Sequence, residues 1–298
     1  MTKNLHLPHP EDTILTGDLS VLDWFAAPSD LSVKMDGSVA IVWGTNPENG
    51  KFFVGKKSVF NKVKVQICYT HADIEEFYSE KEDLAEILHT CLDFLPRTEN
   101  IYQGDWLGYG QSYLYTPNTI TYDFGTCVDA QFILCPHTKY TGASIRESVA
   151  EPLTEILDST DDVCFVQPTV DCTVRFGASF EGLRKAMSKS KFLTEKQANE
   201  VKIIINAFIR EGKTLSPLVL EEIFGDHNLM VSYLQIIDIK EQMIEGMKIY
   251  DGPKARIGDQ PIDAEGYVRS NRYGSMKLVD RYEFSRANFT NGRFQASA

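Results

Sequence analysis

Two strand-type runs, residues 264–270 and 275–279, follow roughly a hundred residues of mostly helical pattern. Two short strands make a poor independent sheet, so this late pair should return to strands laid down far earlier in the chain. Those earlier strands read clearly: 31–34, 38–43 and 51–54, then 101–107, 119–124 and 131–134. The Asn46–Gly50 segment (NPENG) is a strong turn signal between the second and third, which makes them a hairpin. Helices are expected at 18–25, with Asp18 as N-cap, and over the acidic stretch 72–94. Within the mostly helical stretch from about 144 to 250, 195–210 and 228–250 carry apolar residues at helical spacing. The layout predicts an α+β protein of antiparallel sheets: one domain from 1–140 and 256–298, and a mostly helical insertion or subdomain over 141–255.

Composition bounds the function. Apolar residues make up 43% and charged residues 24%, the balance of a globular chain rather than a disordered one. Apolar stretches are short and broken by charge, and residues 1–10 hold no apolar signal core, so a cytoplasmic protein without membrane contact is expected. The net charge of −12 argues against tight nonspecific binding to duplex nucleic acid. Transient docking could use Lys51, Lys56, Lys57, Lys62 and Lys64, or Arg184, Lys185, Lys189 and Lys191, although each set taken alone reads first as a solvated face. The six cysteines and six histidines show no metal-ligand spacing, and scattered core thiols are expected.

The sharpest chemical feature is Lys34-Met-Asp-Gly37 at the end of a strand, just before the hairpin. An amine there is fixed by its backbone, and lysine becomes a nucleophile when burial or a nearby cation lowers its pKa. The bland alternative is a surface lysine beside an Asp-Gly turn. Far along the chain, Glu265-Gly-Tyr-Val268 and Met276-Lys277-Leu278 bring a carboxylate and a second lysine on adjacent strands. A carboxylate can hold a divalent metal on phosphates, and a lysine can neutralise charge on an attacked phosphate. Gln103-Gly-Asp105 adds a carboxylate beside glycine on a third strand. Glu181-Gly-Leu183 competes with Glu265-Gly-Tyr but reads as helix.

This ordered set resembles the covalent nucleotidyltransferase superfamily: ATP-dependent DNA and RNA ligases and GTP-dependent mRNA capping enzymes. Among these it is most similar to phage-type RNA ligases. The resemblance covers residues of about 35 to 280. It implies a ligase adenylation domain without a C-terminal oligonucleotide-binding domain, acting in the host cytoplasm of a bacteriophage. Lys34 would form lysyl-AMP from ATP. Glu265 would hold Mg2+ or Mn2+, and Lys277 would bind the α-phosphate. Asp36, Gly37, Lys56, Asp105 and one of Tyr122 or Phe124 would contact the nucleotide, the aromatic by stacking on adenine. RNA 5′-phosphate and 3′-hydroxyl ends would be sealed; DNA sealing, GTP-dependent capping and a non-catalytic interaction role are the alternatives. Three departures stand out. Asp105 replaces the usual glutamate. Val279 follows Lys277 where a second lysine is common, leaving Arg281 or Lys56 to supply the missing cation. Ser38-Val39 stands where many DNA ligases carry arginine.

Overall fold

A computed structural model describes residues 7–176 and 180–281. The chain is a mixed α+β protein, with several antiparallel sheets and eight α-helices among the described residues. It divides into two compact units. One comprises Met35–Pro168 and Asp251–Asp263; the other, among the described residues, comprises 7–34, 169–176, 180–250 and 264–281. These cuts differ from a division at 140 and 256. Residues 7–34 and 264–281 group with the helical stretch, while strands Val149–Pro152 and Val163–Phe165 group with the hairpin.

In the first unit the expected hairpin forms, with Val42 opposite Gly55 and Thr45 opposite Phe52. It opens a six-stranded sheet that continues through Ile101–Tyr109, Phe132–Thr141 and Val149–Pro152, while Val163–Phe165 adds alongside Phe132–Thr141 in parallel. One face buries Ile41, Trp43, Trp106, Phe132 and Leu134 against Ile74, Leu88 and Leu92 of two helices. The indole of Trp43 stacks on Phe165 and that of Trp106 on Phe132. Instead of one helix over 72–94 there are two, His71–Tyr78 and Glu82–Phe94. Glu76 and Glu80 would repel at i,i+4 in a continuous helix. The break also places Glu82 and Asp83 in a new first turn, where the helix dipole favours anions. A smaller sheet joins Gln260–Ile262, Lys254–Ile257, Thr121–Asp123 and Leu114–Tyr115.

In the second unit, helix Glu195–Arg210 begins as the pattern predicts. Thr194 and Gln197 form a reciprocal capping box, and Ala198, Val201, Ile205 and Ile209 face the core. The helix expected over 228–250 runs His227–Glu245, and the chain then turns into strand Met247–Tyr250, which pairs with Thr169–Cys172. Helix Ser20–Ala26 lies close to its expected place, but its N-cap is Leu19, which offers no side-chain cap, and not the expected Asp18; Asp18 accepts the Ser20 N–H at 3.0 Å from one residue earlier. The two late strands, Gly266–Asn271 and Gly274–Leu278, do return to an early one. They complete a three-stranded sheet with Asp30–Lys34, and not with the hairpin's sheet. Leu31, Val33, Tyr267, Met276 and Leu278 point one way, into a core that includes Trp24, Phe25, Ile236 and Met243. No described helix is long and apolar enough to cross a membrane.

Candidate active site

The period of two in a strand decides what the small sheet can present. Cross-strand partners share a face, and alternate residues lie on opposite faces. Val33, Tyr267 and Leu278 occupy one row on the core face. Lys34 opposite Gly266, and Val268 opposite Lys277, therefore belong to the other face. Two amines far apart in sequence thus emerge on one side of one sheet.

The turn before the central strand supplies the carboxylate. Gly266 has φ +155°, and a Cβ there would lie 2.4 Å from the Leu278 carbonyl oxygen, so no other residue fits without displacing backbone. Glu265, immediately before it, ion-pairs through Oε2 with Lys34 Nζ. The carboxylate side chain is 9% exposed and the lysine 33%, so the pair is open to solvent from the lysine side. Lys277 is half-buried. Burial lowers its pKa below the ordinary lysine value, and the positive charges of Lys34 and Arg281 lower it further.

Behind Lys277 stands a buried ionic cluster outside the resemblance. The Lys277 N–H donates to the Pro8 carbonyl at 3.0 Å, which ties the N-terminal segment to the strand edge. Glu11 is fully buried and accepts from Lys240 Nζ at 2.8 Å. Burial alone would raise this carboxyl, but Lys240, His9 and Arg281 outweigh it and hold the pKa at about 2. His9, adjacent, is driven down to about 2, first by burial and then, against the pull of Glu11, by the positive charges of Arg281, Lys277 and Lys240. Arg281 donates to Asp12 at 2.8 Å and to Asn206 at 2.6 Å and is 7% exposed. Its guanidinium is built into this cluster. One sequence signal pointed here: Lys240 interrupts the buried stripe Leu229, Tyr233, Ile236, Met243 on helix His227–Glu245, and a lysine on such a stripe needs a partner. Nothing in the sequence identified Glu11 as that partner.

The other expected nucleotide contacts lie in the first unit. A Cβ on Gly37 would sit 2.5 Å from Asp105 Cβ, and Ser38 N–H donates to the Trp106 carbonyl at 2.9 Å. The Asp36-Gly37 loop is thus pressed onto strand Ile101–Tyr109 beside Asp105. The Asp105 carboxylate is 3.5 Å from His137 Nε2. Asp36 is turned inward: its carboxylate accepts from Asn118 Nδ2 and from the N–H of Thr119, both at 3.0 Å, while its own N–H donates to Tyr122 Oη at 2.6 Å. Asp36 and Tyr122 thereby hold this loop closed, and with 1% exposure Tyr122 has no open ring face for a base. Phe124 is half-buried, edge-on to Tyr115 at 5.4 Å, and is the accessible aromatic of the two. Lys56 is half-buried just after strand Phe52–Gly55; Lys51, Lys57, Lys62 and Lys64 are exposed. In the second unit, Glu181 starts helix Glu181–Met187, so Glu181-Gly-Leu183 is no strand motif, and Arg184 is bonded to Asp23 at 2.7 Å.

A model described as "Family of unknown function (DUF6267)" matches residues 4–223 and 219–293. No curated protein and no solved structure matches the chain.

Proposed function

The chain belongs to the DUF6267 family, whose description assigns no chemistry, and from its own residues we propose an ATP-dependent RNA ligase acting through a lysyl-AMP intermediate. One observation carries the proposal: Lys34 and Glu265, 231 residues apart, are in contact across neighbouring strands, with Lys277 on the same sheet face. A lysine that attacks phosphorus is served by a carboxylate that can take its proton and by a second cation that can offset phosphate charge, and this sheet face presents both.

In the proposed reaction the Lys34 amine gives up a proton, which Glu265 can accept. Nitrogen then bonds to the α-phosphorus of ATP as the phosphorus–oxygen bond to pyrophosphate breaks. The Lys277 ammonium offsets charge gathering on the α-phosphate oxygens. A 5′-phosphate end then takes AMP from the lysine, and a 3′-hydroxyl displaces AMP to seal the strand. Positioning and charge neutralisation dominate such chemistry. Glu265 is the protein carboxylate that would take an ion arriving on the triphosphate. Bound Mg2+ or Mn2+ would neutralise the departing pyrophosphate. The roles of Asp105, Phe124 and Lys56 rest on the resemblance alone, as do the ligase adenylation fold and the lack of an oligonucleotide-binding domain.

Incubation with α-labelled ATP and Mg2+ tests the proposal. Acid-stable label on the wild type and none on Lys34→Ala is expected; equal label on both, or none on either, overturns it. GTP as donor in the same assay separates a capping-type enzyme, and nicked DNA against RNA ends separates a DNA ligase. A second reading, a non-catalytic interaction protein, draws on the engagement of Lys34 by Glu265 and of Arg281 by Asp12 and Asn206. It predicts that no nucleotide labels the chain.

A further inference from the structure

Strand Gly266–Asn271 carries an arginine on its core face. Arg269 stands opposite Leu31 and Met276, so it shares a sheet face with Val33 and Tyr267 and lies on the reverse side from Lys34 and Lys277. It is 6% exposed. Nη2 donates to the carbonyls of Phe25 at 3.0 Å and Ala27 at 2.6 Å, and Nη1 meets the Met243 thioether at 3.3 Å. The guanidinium carbon lies 5.4 Å from the Trp24 ring centroid, and Nε has no hydrogen-bond partner among the described residues. All these neighbours are neutral, whereas a buried cation ordinarily has an anion against it. Capping the last carbonyls of helix Ser20–Ala26 accounts for the Nη2 bonds and leaves the charge uncompensated.

A cavity of about 440 Å³ opens against this arginine, a volume typical of small-ligand pockets. Its wall holds a second cation. Arg175, exposed just after strand Thr169–Cys172, donates through Nη1 to the carbonyls of Cys172 and Val174, again neutral groups. Burial lowers the Arg269 pKa below the ordinary arginine value, and the Arg175 charge lowers it further. Two like charges thus share one cavity. Asp30 and Asp171, exposed on the same wall, form no ion pair with either arginine among the described residues. The Phe25 and Phe176 rings, edge to face at 6.1 Å, add apolar wall. We propose that this cavity takes a small organic anion, with a carboxylate or phosphate group against Arg269 and Arg175 and an apolar body beside Phe25 and Phe176. A nucleic-acid backbone fits poorly, because Asp30 and Asp171 would repel its further charges. The cavity lies wholly in the second unit, and its occupancy requires no nucleotidyl-transfer chemistry.

Calorimetry on the full chain, without nucleotide, tests the cavity with three probes of similar shape: benzoate, phenyl phosphate and neutral benzyl alcohol. At least one of the two anions should bind at a single site, and benzyl alcohol should not. Which anion binds more tightly tells a carboxylate ligand from a phosphate one. Arg175→Gln, at an exposed position, should weaken that binding at least about tenfold, and so should Arg269→Lys. Failure of both anions to bind, equal binding of benzyl alcohol, or wild-type affinity in Arg175→Gln overturns the site. Should Arg269→Lys fail to fold, Arg175→Gln decides alone.

Discussion

Lys34 lies directly opposite Gly266 in the antiparallel ladder, and this register is what delivers Glu265 to the lysine ammonium. A shift of one residue would send Lys34 to the core face and remove the contact.

Glu265→Gln keeps the shape of the side chain and removes its charge. If the proposed reaction holds, label capture from ATP should fall by about two orders of magnitude, because the proposed proton acceptance and metal holding would both be lost. The thermal midpoint should barely move, since an ion pair with a partly exposed lysine contributes at most about 1 kcal/mol. An unchanged labelling rate would remove Glu265 from the chemistry.

Gly266→Ala puts a methyl group 2.4 Å from the Leu278 carbonyl oxygen at a φ of +155°. The expected cost is about 1–3 kcal/mol in urea unfolding, together with loss of label capture as the turn shifts Glu265. A stable, active Gly266→Ala protein would contradict this account of the turn.

Lys240→Met leaves the fully buried Glu11 without its closest partner. Breaking one side of a buried pair costs about 3–5 kcal/mol, whereas the double change with Glu11→Gln should recover part of it. Equal unfolding midpoints for the single and double variants would show that Arg281 alone satisfies Glu11.

Acid should destabilise the protein in two stages. His9 is held at about 2 when folded against 6.5 ordinarily, so below pH 6.5 the unfolded chain takes up a proton the folded one refuses. Stability then falls by about 1.4 kcal/mol per pH unit from this residue. Glu11, also held at about 2, adds a second loss as pH falls below its ordinary value of 4.5. His9→Gln should flatten the profile between pH 6.5 and 4.5 and leave the lower limb; a thermal midpoint series across that range checks it.

Much of the ladder was legible because strands announce themselves by alternation. Glu195–Arg210 carried its capping box and apolar stripe in plain view, and Lys34, Glu265 and Lys277 stood out by type and order. Partnership was not legible. Nothing local shows that 264–278 pairs with Asp30–Lys34 and not with the hairpin, because the choice lies in a core built from residues far apart in the chain. Tyr122 and Phe124 each read as the base-stacking ring or as packing, and Tyr122 is a buried acceptor for Asp36; an aromatic strand residue looks the same in either role. The acidic run at 75–83 hid a helix break, since helical periodicity continues across it.

The contact between Lys34 and Glu265 spans 231 residues, and it has a consequence for synthesis. A nascent chain displays its lysine early, but strand Asp30–Lys34 waits for its neighbour until residue 266 has left the ribosome. Pairings of such range form late and slowly. Truncated translation products would carry Lys34 and lack Glu265, so a premature fragment cannot assemble the pair.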